Sequence, residues 1–430
     1  MMLGDRTTDA FPASYRPTMS TDTTTQKPEE DEEASPVVDA PAWRRIVSVD
    51  TYRGAVMLMM MAEVLKIGQV AKAFPQSETW RTLAFHQSHV EWAGCSAHDM
   101  IQPSFSFLVG VALPFSLASR LRRGESAGRA TWHAAWRALV LIALGIFLRS
   151  IGKKMTNFTF EDTLTQIGLG YFPLFLIGMA RPRVRWIALA VVLVGYWMAF
   201  ALYPAPGPEF NDAGVGVKAD WPHHATGLAA HWNKNSNLAW AFDRWFLNRF
   251  PRETGFTHNG GGYATLSFIP TLGTMLLGLI AGGWLQADRA KGTKAGWMLL
   301  MAAGCVGLAL TLEHFGLCPI VKRIWTPSWV LYSGGICFAV LALLYGLIDG
   351  TGFTGWTYPL QVIGRNSIAA YCIAHLIERF VEGSFRTHLG PGVFARLGGP
   401  YEPLVAGGAV LAVYWLILWW MDRNKIYLKV

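Results

Sequence analysis

Apolar side chains gather along this chain in about ten runs, each close to the roughly 20 residues a helix needs to cross a hydrocarbon core. They lie at Thr51–Gly68, Met100–Ser119, His133–Ser150, Thr163–Met179 and Trp186–Tyr203, then at Ala264–Leu285, Trp297–Phe315, Trp329–Leu347, Pro359–Ile377 and Leu404–Met421. Between them the chain turns polar and basic. Only helices and closed barrels satisfy every backbone group inside a bilayer, and runs of this length mean helices. The pattern predicts an all-α, polytopic integral membrane bundle of about ten helices. Two stretches break the rhythm. Residues 1–43 are polar, rich in Thr, Pro and Glu, with an acidic run at Glu29, Glu30, Asp31, Glu32 and Glu33, and read as a disordered cytoplasmic tail. Residues 204–262 form a connection too long for a simple turn, and Trp221, Trp232, Trp240 and Trp245 within it predict an ordered cap.

Composition agrees: 52% of the residues are hydrophobic and only 15% are charged, a balance that soluble domains seldom show. The net charge of +8 would suit nucleic acid in a soluble protein. Here the basic residues crowd short loops, at Arg44/Arg45, Arg120 to Arg123, Arg181 to Arg185, Arg289 to Lys294 and Arg423 to Lys429. That bias marks a cytoplasmic side, places both termini there, and makes the lipid bilayer the partner rather than nucleic acid. Lys153/Lys154 and Lys322/Arg323 run against the bias. The five cysteines lack paired spacing, so no metal or redox centre is expected; Cys95 and Cys318 share the outer side, where a disulfide would be allowed. Gly278 and Gly282 permit close helix packing, within the bundle or in a homodimer.

Ionisable groups at the membrane are costly and point to function. His89 and Asp99 flank a polar stretch that runs into the second apolar span, with Trp92 between them. An imidazole there can take and return a proton, or carry an acyl group, and a carboxylate can orient it. His86 and His98 are rivals for the same role. In the first span, Asp50 and Arg53 are spaced to pair on one helical face, and the planar fork of Arg53 also suits a phosphate. Glu63 is expected to face the bundle interior, where it would hold a proton, bind an amine or pair with Lys66. Asn366 opens the ninth run, where it would cap helix termini, and His375 ends it; with Glu63 and Trp92 they complete the candidate substrate contacts. Asn259 to Gly262 read as a flexible turn.

These residues together resemble the heparan-α-glucosaminide N-acetyltransferase family of transmembrane acyltransferases and its bacterial relatives. The family's Ser-x-Asp-x-x-Arg-Gly opening matches Ser48, Asp50, Arg53 and Gly54. Its His-x-x-Trp-x-Gly pattern, followed by Asp and Pro, matches His89, Trp92, Gly94, Asp99 and Pro103. Phe105 to Gly110, Thr265 to Pro270, Lys322/Trp325/Thr326/Ser328 and Pro359 to Tyr371 extend the likeness across residues 44–430. The resemblance implies that this stretch is a transmembrane acyltransferase domain. It would draw acetyl from cytoplasmic acetyl-CoA, entering near Asp50 and Arg53, and deliver it to a sugar or amino-sugar acceptor on the other face. His89 would be catalytic and Asp99 its support. Glu63 stands where the family usually has Asn, a departure that would alter acceptor choice or the proton path. A bacterial inner membrane is the expected location. An envelope-polysaccharide O-acyltransferase or a proton-coupled exporter lined by Glu63, His89 and His375 are the alternatives.

Overall fold

The computed structural model describes residues 46–428, and all the regular elements among them are helical apart from one isolated bridge, Ala93 to Val321. The acidic tail, Arg44, Arg45 and Lys429 lie outside the described residues. Fifteen α-helices follow in order: α1 (Val47–Met61), α2 (Ile67–Ala73), α3 (Glu78–His86), α4 (Ile101–Arg122), α5 (Ala127–Ser150), α6 (Thr163–Met179), α7 (Pro182–Leu202), α8 (Leu238–Phe246), α9 (Phe268–Gln286), α10 (Lys291–His314), α11 (Pro327–Leu344), α12 (Tyr358–Arg365), α13 (Ser367–Leu376), α14 (Glu378–Leu389) and α15 (Glu402–Arg423). Among the described residues, seven helical segments are long and apolar enough to cross a membrane, or eight if α1 and α2 count as one span bent by 44°. The fourth apolar run is one short helix, α6. The ninth is two, α12 and α13, because the chain leaves helical geometry at Asn366 (φ −119°, ψ 39°). The sequence therefore placed the apolar runs well and overstated the number of unbroken spans.

Successive spans alternate in direction, so one end of the bundle carries the 88–100 loop and the other carries Arg120, Arg185 and Lys291. The centre is the pair α4 and α9. A Cβ on Gly278 would fall 1.9 Å from the Phe107 carbonyl oxygen, and one on Gly282 would fall 2.4 Å from that of Val111. Only glycine lets the two backbones approach this closely, so the small-residue motif serves packing within the chain. At the basic end, the Asp349 carboxylate accepts the backbone N–H groups of Val47 and Ser48 (3.1 and 3.0 Å), satisfying two donors at the start of α1.

The long 204–262 connection is ordered. It contributes α8 and several 3₁₀ turns, and its aromatic residues form a second core of their own, in which Trp221 and Trp232 are buried with Tyr196 and Phe200 from α7. The expected tryptophans do not all share this role: Trp245 is exposed, and Trp240 is held by its indole N–H on the Thr257 carbonyl (2.9 Å).

Candidate functional site

The site is built where the 88–100 loop meets the loop between α10 and α11. The Gln87 side chain bonds the Ile67 N–H and the Ala62 carbonyl, pinning the end of α3 to the bend between α1 and α2. From there the loop folds back on a 3₁₀ turn, His98–Met100, that leads into α4. Asp99 sits at this helix start with its side chain fully buried. Buried carboxylates need donors, and here they are supplied locally. Oδ2 accepts the Val90 and Ser96 N–H groups (both 3.1 Å); the Ser96 hydroxyl lies 3.0 Å away but has its shorter contact, 2.5 Å, with the Ser88 carbonyl. The N-terminal end of a helix dipole favours the anion as well.

Oδ1 is left for two partners. His89 Nδ1 lies 2.8 Å away, and Lys322 Nζ 3.2 Å away. Lys322 Nζ also lies 3.0 Å from His89 Nδ1, so the three groups form a triangle. Lys322 is almost completely buried, and desolvation pushes its ammonium down to about 8, with the Asp99 carboxylate opposing the shift. The His89 ring remains more than a third exposed. It lies 4.5 Å from the His98 ring and 6.3 Å from that of Tyr263, centre to centre. Arg323 holds the loop by donating to the Val90 carbonyl (2.9 Å) while its guanidinium covers the Tyr263 ring. Burial pushes the neighbouring Cys95 thiol up to about 12, which removes it as a nucleophile near neutral pH. With Nδ1 bound to Asp99, the other ring nitrogen of His89 is the one left to exchange a proton with a bound molecule.

Other expected contacts fall elsewhere. Trp92 is buried, packed edge-on against Trp221 (5.7 Å) in the cap's aromatic core, and so anchors the loop instead of walling a substrate. A Cβ on Gly262 would lie 2.5 Å from the Trp92 ring, and Gly262 has φ of +76°, so the turn before α9 requires glycine on both counts. That turn is also structured: Asn259 Oδ1 accepts the Gly261 and Tyr263 N–H groups. Glu63 does not face the interior. After Met61 the chain tightens to a 3₁₀ turn and bends by 44° at Lys66 (φ 49°), and Glu63 is exposed on that turn. Lys66 pairs instead with Glu378 and Glu382, both at 3.2 Å. Asn366 is buried, with its amide bonded to the Ile426 carbonyl and the Leu428 N–H, so it fastens the C-terminal segment. His375 is exposed at the end of α13, its Nδ1 on the Tyr371 carbonyl of the preceding turn. Cys95 and Cys318 are both free thiols.

A cavity of about 440 Å³ opens between α1, α4, α5, α6 and α13. Phe105, Val109, Leu113, Ser116 and Arg120 line it from one face of α4, three or four residues apart as a helix requires. Arg53, from α1, and Arg137, from α5, join Arg120 in bringing guanidinium groups to it. Arg53 pairs with Asp50 at 3.5 Å, as the spacing predicted, and Arg120 with Glu125 at 2.8 Å. Arg137 lies over the Tyr171 ring (4.7 Å), its buried Nε without a hydrogen-bond partner among the described residues. Neither His89 nor Asp99 lines this cavity. Phe105 is six residues beyond Asp99, so the apolar end of the cavity begins about 9 Å along α4 from the buried carboxylate.

Lys322 and the arginines Arg120 and Arg137 were not among the candidates from sequence. Two signals were available for Lys322: it stands in the Lys322/Trp325/Thr326/Ser328 stretch of the family likeness, and with Arg323 it runs against the charge bias of its side of the bundle.

No known family model matches the chain. It is 24% identical to the human heparan-alpha-glucosaminide N-acetyltransferase over 91% of its length, and 22% identical to the mouse protein over 90%. The match spans 62% and 60% of those relatives, about three fifths of each. A stretch of 102 residues, 22% of the chain, is 30% identical to the satratoxin biosynthesis SC1 cluster protein 4 of Stachybotrys chartarum.

Proposed function

We propose that this chain, a relative of the heparan-α-glucosaminide N-acetyltransferases, is an integral membrane acetyltransferase that passes acetyl from acetyl-CoA to a sugar or amino-sugar acceptor. The observation that carries the reading is the His89–Asp99 pair, joined at 2.8 Å on a carboxylate whose other oxygen already accepts two backbone N–H groups. Asp99 fixes the imidazole with its proton on Nδ1, leaving Nε2 to take a proton from the acceptor's amine or hydroxyl. The acceptor then attacks the thioester carbonyl, the carbon–sulfur bond breaks, and Nε2 returns the proton to the departing thiolate. His89 acts as base and acid in one complex containing both substrates.

The donor belongs in the arginine-bearing cavity. Guanidinium groups suit phosphate oxygens, and the row from Ser116 to Phe105 offers the pantetheine arm a progressively apolar path toward His89. A thioester held there is kept from water. With the basic end cytoplasmic, donor and acceptor meet the protein from opposite faces of a bacterial inner membrane.

The test is release of free CoA thiol by purified protein given acetyl-CoA with a panel of amino and neutral sugars, beside His89→Ala. Release that rises with acceptor and falls by about 10³-fold or more in the variant is expected. A burst of one thiol per chain without acceptor would replace the direct route by an acetyl-histidine intermediate. Equal release by both proteins would refute the role of His89.

A further inference from the structure

Lys322 is a costly residue to bury. It comes from a loop, its side chain is 4% exposed, and its nitrogen is committed to the triangle with Asp99 and His89. A counter-ion for Asp99 would explain the 3.2 Å contact to Oδ1. It does not explain the 3.0 Å approach to His89 Nδ1, which is closer. An ammonium has no lone pair, so that contact is a hydrogen bond to charged lysine only if Nδ1 is bare, and the 2.8 Å contact from Nδ1 to the carboxylate then cannot be one. A neutral amine reconciles all three contacts. It donates to Oδ1 and presents a lone pair to the Nδ1 proton, which the carboxylate and the amine share.

We propose that Lys322 is a proton-relay residue that acts through His89. The inference rests on the acetyl-transfer reading above. As the acceptor's proton reaches Nε2, the Nδ1 proton moves to Lys322 Nζ, so the imidazole stays neutral and the lysine becomes ammonium beside the Asp99 carboxylate. When the carbon–sulfur bond breaks, the ammonium returns its proton to Nδ1, and Nε2 protonates the thiolate. Protons balance, and the positive charge is held where a buried carboxylate faces it. Lys322 touches neither substrate.

Its surroundings favour a switchable amine. Desolvation leaves Lys322 titrating near 8, so a usable neutral fraction exists close to neutral pH. The groups facing the triangle are Asp99, His98 and Cys95 from the 88–100 loop, Arg323 from the lysine's own loop, and Tyr263 from the end of the cap. Asp99 holds the proton on the lysine and Arg323 opposes it. Cys95, pushed up to about 12, is a neutral thiol in this range.

The experiment compares wild type with Lys322→Arg, Lys322→Met and His89→Ala, reading thiol release from acetyl-CoA with saturating glucosamine as kcat from pH 6 to 9.5. Thermal stability and acetyl-CoA binding of each variant are measured on the same samples. Wild-type kcat should rise with pH through about 8, as Lys322 loses its proton. Lys322→Arg keeps the charge and cannot deprotonate, so it should lose about tenfold or more in kcat, and the rise, while still binding acetyl-CoA. Lys322→Met should do the same. If Lys322→Arg retains wild-type kcat and pH profile while Lys322→Met does not, the lysine is only a counter-ion and the relay is wrong. If both variants match wild type while His89→Ala is inactive, the relay is wrong and the transfer reading survives. A wild-type rate no higher than that of His89→Ala removes the underlying reading itself.

Discussion

The two ends of the bundle solve opposite electrostatic problems. At the His89 end one buried carboxylate is held by local groups, with two backbone N–H donors on one oxygen and a histidine and a lysine on the other. At the other end, three arginines line a cavity; Arg53 and Arg120 each pair with a carboxylate, and Arg137 buries an Nε without a hydrogen-bond partner among the described residues. A carboxylate held by several local donors keeps its geometry, whereas a buried donor without an acceptor, such as Arg137 Nε, is a place where a ligand would be favoured. On the proposed reading the first end handles protons and the second binds the donor's anionic groups, with α4 running between them.

Changes at each end should fail in different ways. The largest effect is expected of Asp99→Asn. It keeps the shape but loses the anion that fixes the Nδ1 proton, and kcat should drop by about 10²- to 10⁴-fold with acetyl-CoA affinity intact. Steady-state kinetics beside calorimetric binding reads both quantities, and a loss of binding equal to the loss of rate would erase the division between the ends. Arg137→Met should act conversely, weakening acetyl-CoA by about tenfold, or 1.4 kcal/mol, with little change in kcat. An unchanged affinity would move the donor's phosphates out of this cavity. Smallest in rate is Gly262→Ala. The added methyl meets Trp92 at a positive φ, so the cap should loosen at a cost of about 1–3 kcal/mol. A thermal melt that does not shift would mean that the cap tolerates Trp92 elsewhere.

The same contrast governs what could be read from sequence. His89 and Asp99 lie ten positions apart at a span boundary, so their pairing needed only a loop that folds back. Lys322 is 233 positions from His89, and no local pattern joins them. Its traces were a place in the Lys322/Trp325/Thr326/Ser328 stretch and a basic pair that, like Lys153/Lys154, runs against the charge bias, and neither points to His89. The apolar runs were legible because lipid imposes them. Their interruptions were not: the 44° bend at Lys66 uses a left-handed conformation without glycine, and Glu63 lies outside the interior that the cost of a charge in a membrane had assigned to it. Asn366 breaks the ninth run to hold the chain's last residues, a partnership that only tertiary structure discloses. Trp92 was recognised as special for a substrate, and its partners proved to be Trp221 and Gly262.

The central claim is that acetyl passes from the arginine-lined end to the His89 end of one chain. Sealed proteoliposomes holding glucosamine inside, with labelled acetyl-CoA only outside, measure this directly. The account predicts acetylated glucosamine in the lumen with free CoA left outside, and none in vesicles carrying His89→Ala. Product that forms only when donor and acceptor share one side of the membrane would contradict it.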